Sequence, residues 1–263
     1  VLQRHQKEFE ALTGIKVNSE QTPEQQQRQK TTIELSSGRP SFDVVHVSYH
    51  VQKRQFEKGR WLADLSGFIR DPALTPPGFW DDFAAAGRTF ASNGEAVGAL
   101  PLSVDYWIIY YNTELFARKN LSFPATFEEM AATAEALTDP RSQTYGFVAR
   151  GLKNANAPVW TSLLLGYDNP PIDTAGALRT DTPDAVEAAK LYQRLMSKSA
   201  PRGVSGFNWS ECQSAFLQGK VGMWLDGIGF AAPLENPELS LAELGEKAGR
   251  DLSTLDPHRP YID

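Results

Sequence analysis

The feature that most constrains this fold is the alternation of capped helices with short runs of β-branched or aromatic residues. Residues 42–48, FDVVHVS, form a continuous β-branched run, which is typical of a strand covered on both faces in a parallel sheet. A polar segment that starts at Thr22 and Pro23 and stops near Gly38 is typical of a helix. Because helices and strands of this kind follow one another, the sequence predicts an α/β fold.

The second half of the chain continues this pattern with clear signals for helix starts. We predict helix starts at a capping box of Thr126 and Glu129, at Thr182 before a proline, and at Ser210 with Gln213. We predict strands at residues 15–17, 145–150 and 221–226. One strand system ends near Asn112 and a new helix series follows Pro124, which favours a passage between two lobes there. The predicted division is a first lobe at residues 1–112, a second lobe at 113–238 and a tail at 239–263.

The composition argues against several classes of function. The chain has 263 residues and a formal net charge of −6, and its Lys and Arg residues are scattered along the sequence without a basic cluster, which argues against a nucleic-acid partner. The single cysteine, Cys212, rules out an internal disulfide framework and a multi-cysteine metal site. No run approaches the roughly 20 apolar residues that a membrane-spanning helix needs.

Two short motifs have both a chemical and a structural interpretation. Gly227, Gly229 and Ala232 have the spacing of a phosphate-binding loop, but prolines follow where a dinucleotide-binding unit needs its helix and next strand. A tight turn is the better interpretation. His46 and His50 are four residues apart, yet they fall on or just after a predicted strand and have no third ligand nearby. We therefore expect no metal site.

A search for an iron-binding tyrosine pair and for nucleophile motifs also indicates no metal site and no catalytic site. Tyr110 and Tyr111 could bind ferric iron, but neighbours on a strand face opposite sides, so one of them is expected in the core. The sequence has no nucleophile elbow and no Walker loop. We expect no catalytic residue and no cofactor.

Aromatic residues stand beside polar residues at several predicted strand ends. Sugar rings present apolar C–H faces and a belt of hydroxyls, so their sites combine flat aromatic platforms with polar partners. In open parallel sheets ligands bind at the carboxyl ends of strands. We expect about half of the aromatics to be core, foremost Phe42 and Phe147. The candidate ligand-binding residues are Tyr49, Asp105, Trp107, Arg150, Asn154, Trp160, Trp209, Trp224 and Asp226.

Several motifs, in order and spacing, resemble landmarks of the bacterial extracellular solute-binding proteins of the sugar-binding group, family 1. The motifs are FEALTGIKV, FDVVHVS, GRWLADLSGFI, VGALPLSVDYWIIYYNTELF, PATFEEMAATAEAL and NWSECQSAFLQGKVGMWLDGIGF. The resemblance covers roughly residues 5–238. Within it, FVARGLKNANAPVW at 147–160 is similar to the branch whose ligands are sugar alcohols or small sugars.

The resemblance implies a type II periplasmic-binding-protein fold with two lobes, a hinge and a ligand in the cleft between them. It implies that Asp105, in a Val104-Asp105 motif, reaches the ligand from the first lobe and that Tyr49 lies at the end of an earlier strand. Arg150 and Asp226 would reach it from the second lobe, and Trp209 would stack on the ring. The implied partners are a sugar or sugar alcohol and a membrane permease of an ABC transporter. The implied protein is a monomer in the periplasm, or a lipid-anchored extracellular one.

The chain also departs from the family's pattern. Family members begin with a strand before the first helix and run on after the MWLDG motif, whereas we expect residues 239–263 not to continue the family's pattern. We therefore expect the fold to be shortened and incomplete relative to the family.

Two other functions remain open from the sequence. A sugar hydrolase would use a pair among Asp105, Asp226 and Glu211, fixed about 5 to 9.5 Å apart, as acid and base. A truncated remnant that binds nothing is the third hypothesis. The sequence names neither the sugar nor the permease.

Overall fold

The computed structural model describes residues 2–103, 105–231 and 234; for residues 2–4 and 50 only the backbone is described. The chain divides into two compact units, Val1–Val104 and Asp105–Asp263. The predicted boundary between lobes after Asn112 stays a prediction. The predicted tail at 239–263 and Val104 of the Val104-Asp105 motif lie outside the described residues.

The first unit is built from helices and one small hairpin. Its elements are α1 (Leu2–Thr13), α2 (Glu24–Ser36), α3 (Tyr49–Gly59), α4 (Ser66–Arg70), α5 (Ala85–Ala91), β1 (Ser92–Asn93) and β2 (Ala96–Val97). The strands β1 and β2 pair antiparallel. Helix α2 starts after Pro23 and stops before Gly38, which confirms the helix predicted there. The buried apolar residues described in this unit are Leu35, Phe56, Ala91 and Val97.

The prediction of two strands in the first unit is wrong. Residues 15–17 and 42–48 are irregular in the structure, and Val44 is 89% exposed. A strand needs a neighbour to pair its N–H and C=O groups. Among the described residues of this unit, β1 and β2 pair only with each other. The carbonyl of His46 instead accepts a hydrogen bond from the side chain of Gln27 at 2.7 Å.

The second unit contains a three-stranded sheet with helices around it. Its elements are β3 (Trp107–Tyr111), α6 (Thr113–Arg118), α7 (Phe127–Leu137), β4 (Tyr145–Val148), α8 (Ala157–Gly166), α9 (Pro183–Lys198), α10 (Trp209–Leu217) and β5 (Val221–Gly227). Short 3₁₀ turns cover residues 204–206 and 228–230. The strand order is β3–β5–β4, with β4 parallel and β3 antiparallel to β5. The sheet is therefore mixed, whereas the sequence predicted a parallel one.

Side-chain caps fix the helix starts in this unit. Thr182 accepts a hydrogen bond from the backbone N–H of Ala185 at 3.2 Å, as predicted. Thr126 likewise caps α7 by accepting from the N–H of Glu129. The predicted cap at Ser210 with Gln213 is wrong, because Asn208 and Glu211 form the capping box of α10. Both pairs have the right spacing, so spacing alone could not separate the two registers.

The core lies on both faces of the sheet. Phe147 of β4 faces a cluster with α7, α8 and α9, while its neighbour Val148 faces a second cluster with α10. In β5, Met223 and Leu225 belong to the first cluster and Trp224 to the second. Coverage on both faces explains why 221–226 is a nearly continuous apolar run in the sequence. It also leaves the strand ends as the places where polar side chains can be presented.

Candidate ligand-binding site

One edge of the sheet in the second unit gathers polar residues from three strands. The parallel strands β4 and β5 end at this edge, and β3, which runs the other way, begins there. The register places Trp107 opposite Gly227 and Ile108 opposite Asp226. Val148, two residues before Arg150, is opposite Trp224. Residues that are far apart in sequence therefore converge at one place.

A buried ion pair joins Arg150 to Asp226. The Nε of Arg150 donates to Oδ2 of Asp226 at 3.0 Å, and its Nη2 donates to Oδ1. The Asp226 carboxylate is fully buried, so its hydrogen-bond partners must offset the loss of hydration. It also accepts from the indole Nε1 of Trp224 at 3.2 Å and from the backbone N–H of Gly227 at 2.8 Å. Four donors thus hold this carboxylate in place.

The guanidinium of Arg150 lies over the ring of Trp107. The distance from Cζ to the ring centroid is 5.0 Å, which is within cation–π range. The backbone carbonyl of Arg150 accepts a hydrogen bond from the hydroxyl of Tyr192 at 3.1 Å. The side chain remains 16% exposed, and its Nη1 makes no hydrogen bond with any described residue. Arg150 is therefore held rigidly, while its Nη1 can still donate a hydrogen bond.

Asp105 lies beside this pair and is exposed to solvent. Its Oδ1 accepts from the backbone N–H of Gly229 at 3.3 Å. The adjacent carbonyl of Tyr106 accepts from the N–H of Ile228 at 2.9 Å. The start of β3 is thereby attached to the turn after β5. The turn at 228–230 agrees with the tight-turn interpretation of the glycine motif.

A row of aromatic rings runs from the core to Trp209. Trp224 lies 5.1 Å from Tyr110 and 5.0 Å from Phe230, centroid to centroid. Phe230 in turn stacks on Trp209 at 5.6 Å with an interplanar angle of 25°. Sequence reasoning missed Phe230, although an aromatic residue directly after a glycine turn was a usable signal. Tyr110 is the buried one of the tyrosine pair, and its hydroxyl donates to the carbonyl of Gly227.

The remaining candidates occupy other positions. Trp224 has no exposed surface, so it supports Asp226 from within the core. Trp160 is half-buried in α8, and its indole N–H has no hydrogen-bond partner among the described residues. Asn154 is exposed in the loop before α8 with a left-handed backbone, φ 73°. The site residues that contact one another are thus Asp226, Arg150, Trp107 and Trp224, with Asp105 beside them.

Tyr49 belongs to the first unit, as the first residue of α3. Its ring packs on Phe56, with centroids 6.4 Å apart, and the ammonium of Lys53 lies 5.9 Å from its centroid. Its hydroxyl lies only 2.5 Å from the place that a Cβ on Gly98 would occupy. Partial burial raises the pKa of Tyr49 above its ordinary value. Its predicted role in ligand binding stays a prediction.

Two further ionisable groups, Glu211 and Cys212, lie near the start of α10. Burial raises the pKa of the Cys212 thiol well above its ordinary value, and the charge of Asp226 raises it further. Glu211 has a lowered pKa because its carboxylate accepts from the N–H of Asn208. A surface groove of about 580 Å³ lies where β4 and β5 begin, lined among others by Tyr145 and Lys220. Glu211 lines this groove, but none of the predicted ligand-binding residues does, so its volume does not decide the ligand-binding site.

The described residues hold no cluster of three or more His, Cys, Asp or Glu side chains that could bind a metal ion. No helix among them combines the length and apolar character required to cross a membrane.

The sequence matches a known family over most of its length. The family model of the bacterial extracellular solute-binding proteins matches residues 1–250. The chain belongs to this family. The resemblance seen in the sequence motifs is thereby confirmed.

Curated members of this solute-binding protein family are similar over most of the chain. A protein of Brucella abortus (strain 2308) described as a binding protein is 29% identical over 230 residues, which is 83% of this chain and 52% of that protein. The erythritol/L-threitol-binding protein of Mycolicibacterium smegmatis is 23% identical and matches 89% of this chain and 52% of its own length. The chain therefore spans about half the length of the curated relatives it matches.

Solved structures of solute-binding proteins share the fold. A protein of Agrobacterium vitis S4 with bound D-mannitol has a TM-score of 0.78 at 23% identity, covering 90% of this chain and 57% of its own. A protein of Agrobacterium radiobacter K84 in complex with ribitol has a TM-score of 0.79 at 23% identity, covering 90% and 58%. These neighbours show that the chain has the type II periplasmic-binding-protein fold and is shorter than they are.

Proposed function

We propose that this chain captures an uncharged sugar or sugar alcohol as the solute-binding component of an ABC importer. The observation that carries the proposal is the arrangement at the sheet edge of the second unit. There Arg150 lies on the face of Trp107 and is held by buried Asp226, and the exposed carboxylate of Asp105 lies against Gly227, the residue after Asp226.

This arrangement matches the chemistry of a polyhydroxylated ligand. The free Nη1 of Arg150 can donate to a hydroxyl oxygen, and Asp105 can accept from a hydroxyl. The exposed parts of Trp107 and Trp209 supply flat apolar surface for C–H groups. Donor, acceptor and platform are fixed before any ligand arrives, which lowers the entropic cost of binding.

The similar proteins support the same class of ligand. Two solved neighbours hold D-mannitol and ribitol, and one curated relative is named as binding erythritol and L-threitol. All four are small, uncharged polyols. We therefore propose a sugar alcohol or small sugar as the ligand, and the permease of an importer as the partner. The proposed location is outside the cytoplasmic membrane, and the proposed oligomeric state is a monomer.

The contacts of the carboxylates do not favour the hydrolase hypothesis. Both oxygens of Asp226 accept hydrogen bonds from Arg150, and each accepts one more. Glu211 caps α10, and its pKa is lowered, whereas a general acid needs a raised one. The proposal therefore includes no enzymatic activity.

A thermal-shift screen tests this function. The panel contains ribitol, D-mannitol, erythritol, tagatose and maltose, with amino acids as negative controls. A ligand that binds only the native state stabilises it by about 2.7 kcal/mol at 100 times its dissociation constant. We expect a shift with at least one polyol or sugar, and a smaller shift in an Asp105→Ala variant.

An Asp181→Ala variant is the matched control, since Asp181 is also exposed and lies outside the site. It should keep the full shift. No shift with any polyol or sugar would contradict the proposal, and it would favour the hypothesis of a remnant that binds nothing.

A further inference from the structure

We propose that Gly227 is a positioning residue for Asp105, because the absence of a side chain at 227 makes room for the Asp105 carboxylate. This inference rests on the proposed function, in which Asp105 accepts a hydrogen bond from the ligand. Gly227 is the last residue of β5 and follows Asp226 directly.

The carboxylate of Asp105 occupies the space of the missing side chain. A Cβ on Gly227 would lie 2.0 Å from Oδ2, 2.6 Å from Cγ and 2.8 Å from Oδ1 of Asp105. All three atoms of the carboxylate are nearer than any non-bonded contact allows. The backbone of Gly227, with φ −68° and ψ 148°, is open to any residue. Steric room for Asp105, and not backbone conformation, is therefore what requires glycine here.

The backbone of Gly227 connects Asp105 to the ion pair. Its N–H donates to Oδ1 of Asp226 at 2.8 Å, and its carbonyl accepts from the hydroxyl of Tyr110 at 2.8 Å. Both of its polar groups are thus held by buried partners. The backbone against which the Asp105 carboxylate lies is therefore fixed relative to Arg150. This fixes the distance between the acceptor, Asp105, and the donor, Arg150.

Substitution of Gly227 should move the carboxylate and leave the fold in place. Asp105 is exposed, so its side chain can rotate towards solvent when a methyl group takes its space. Rotation would break the hydrogen bond from the N–H of Gly229 to Oδ1. That amide is therefore a reporter of the carboxylate position that needs no ligand.

A double-mutant cycle read by NMR tests the proposal. The amide resonance of Gly229 is compared in the wild type, Asp105→Ala, Gly227→Ala and the double variant. In the wild-type background Asp105→Ala should shift this resonance, and in the Gly227→Ala background it should leave it nearly unchanged. An equal shift in both backgrounds would overturn the proposal, because the carboxylate would still lie against residue 227.

Unfolding of Gly227→Ala would also be decisive. The proposal then predicts that adding Asp105→Ala restores a cooperative melt, since the clash is removed. If the double variant also fails to fold, glycine is needed for another reason and the proposal is wrong.

Ligand affinity provides a second readout that distinguishes this proposal from the proposed function. Ribitol and D-mannitol are the probes, and Gly206→Ala is the control, because a Cβ on Gly206 meets nothing within 4 Å. We expect Gly227→Ala to weaken binding as much as Asp105→Ala, and Gly206→Ala to change affinity by less than about twofold. Wild-type affinity in Gly227→Ala would overturn the positioning role. Failure of the wild type to bind any polyol or sugar would overturn the proposed function, while the amide cycle would still report the position of Asp105.

Discussion

The two units of this chain differ in how much of their apolar surface is covered. In the second unit helices cover both faces of a sheet, and Phe147 and Trp224 are fully buried. In the first unit the described apolar residues that are buried are Leu35, Phe56, Ala91 and Val97 alone. Both units carry helices with ordinary start and stop signals. Local sequence signals therefore suffice to form helices in both units, whereas a dense core forms where strands pair in a sheet.

The largest expected effect separates two phenylalanines. Phe147→Ala should lower the free energy of unfolding by about 3 to 5 kcal/mol, because it leaves a cavity in the buried cluster. Phe90→Ala in the first unit should lower it by less than about 1 kcal/mol, because that ring is 53% exposed. Urea unfolding followed by circular dichroism measures both. Similar losses would mean that Phe90 is packed as closely as Phe147, which would contradict the difference in coverage.

The next comparison sets the buried ion pair against a surface one. Asp226→Ala should destabilise the second unit by about 3 kcal/mol, because it leaves the Arg150 guanidinium without its partner. Glu135→Ala removes an exposed partner of Arg194 and should change stability little. Thermal unfolding at low and high salt measures both variants. An equal loss of stability in Glu135→Ala and Asp226→Ala would contradict the expected difference between the two ion pairs.

Substitution of alanine for two different glycines should change the stability in opposite directions. A Cβ on Gly146 would lie 1.8 Å from the carbonyl oxygen of Ala134, so Gly146→Ala should destabilise by about 1 to 3 kcal/mol. Gly67 in α4 has open space, so Gly67→Ala should stabilise by up to about 1 kcal/mol. Chemical denaturation gives both signs. A stabilising Gly146→Ala would show that α7 and β4 do not pack as closely as described.

The smallest effect concerns alkaline pH and Cys212. Because burial raises the pKa of this thiol, its stabilising contribution is complete below the ordinary thiol pKa. Above about pH 9 the thiol ionises in the unfolded chain and not in the folded one, so stability falls by up to about 1.4 kcal/mol per pH unit. Between pH 8 and 10 the wild type should lose about 1.4 kcal/mol more than Cys212→Ala, measured by urea unfolding in reducing buffer. Equal losses would mean that the thiol is accessible.

Local signals predicted four of the ten α-helices in the described part of the chain, α2, α7, α9 and α10, and two of its strands. Pro23, Thr126 and Thr182 fix helix starts through backbone geometry or a single side-chain hydrogen bond, and such information lies within four residues. Residues 145–148 and 221–227 are strands as expected, because covered strands need continuous apolar runs. Residues 42–48 have the same kind of run but no pairing strand, which the run itself does not encode.

The candidate site was predictable in its residue types and not in its contacts. The sequence indicated Asp105, Arg150 and Asp226 individually, but Arg150 and Asp226 are 76 residues apart and meet only through the sheet register. The space that Gly227 provides for Asp105 depends on an antiparallel pairing across more than 100 residues. Such relations need the three-dimensional structure because no local periodicity carries them.

The most direct test of the account is a calorimetric titration of ribitol into the wild type and into Trp107→Leu. The account predicts saturable heat with the wild type and an affinity at least about tenfold weaker in the variant, equivalent to about 1.4 kcal/mol. Equal affinity in the two proteins would contradict a site at Arg150 and Trp107. If ribitol gives no heat, the same titration is repeated with each polyol and sugar of the panel, and no heat with any of them would contradict ligand capture itself.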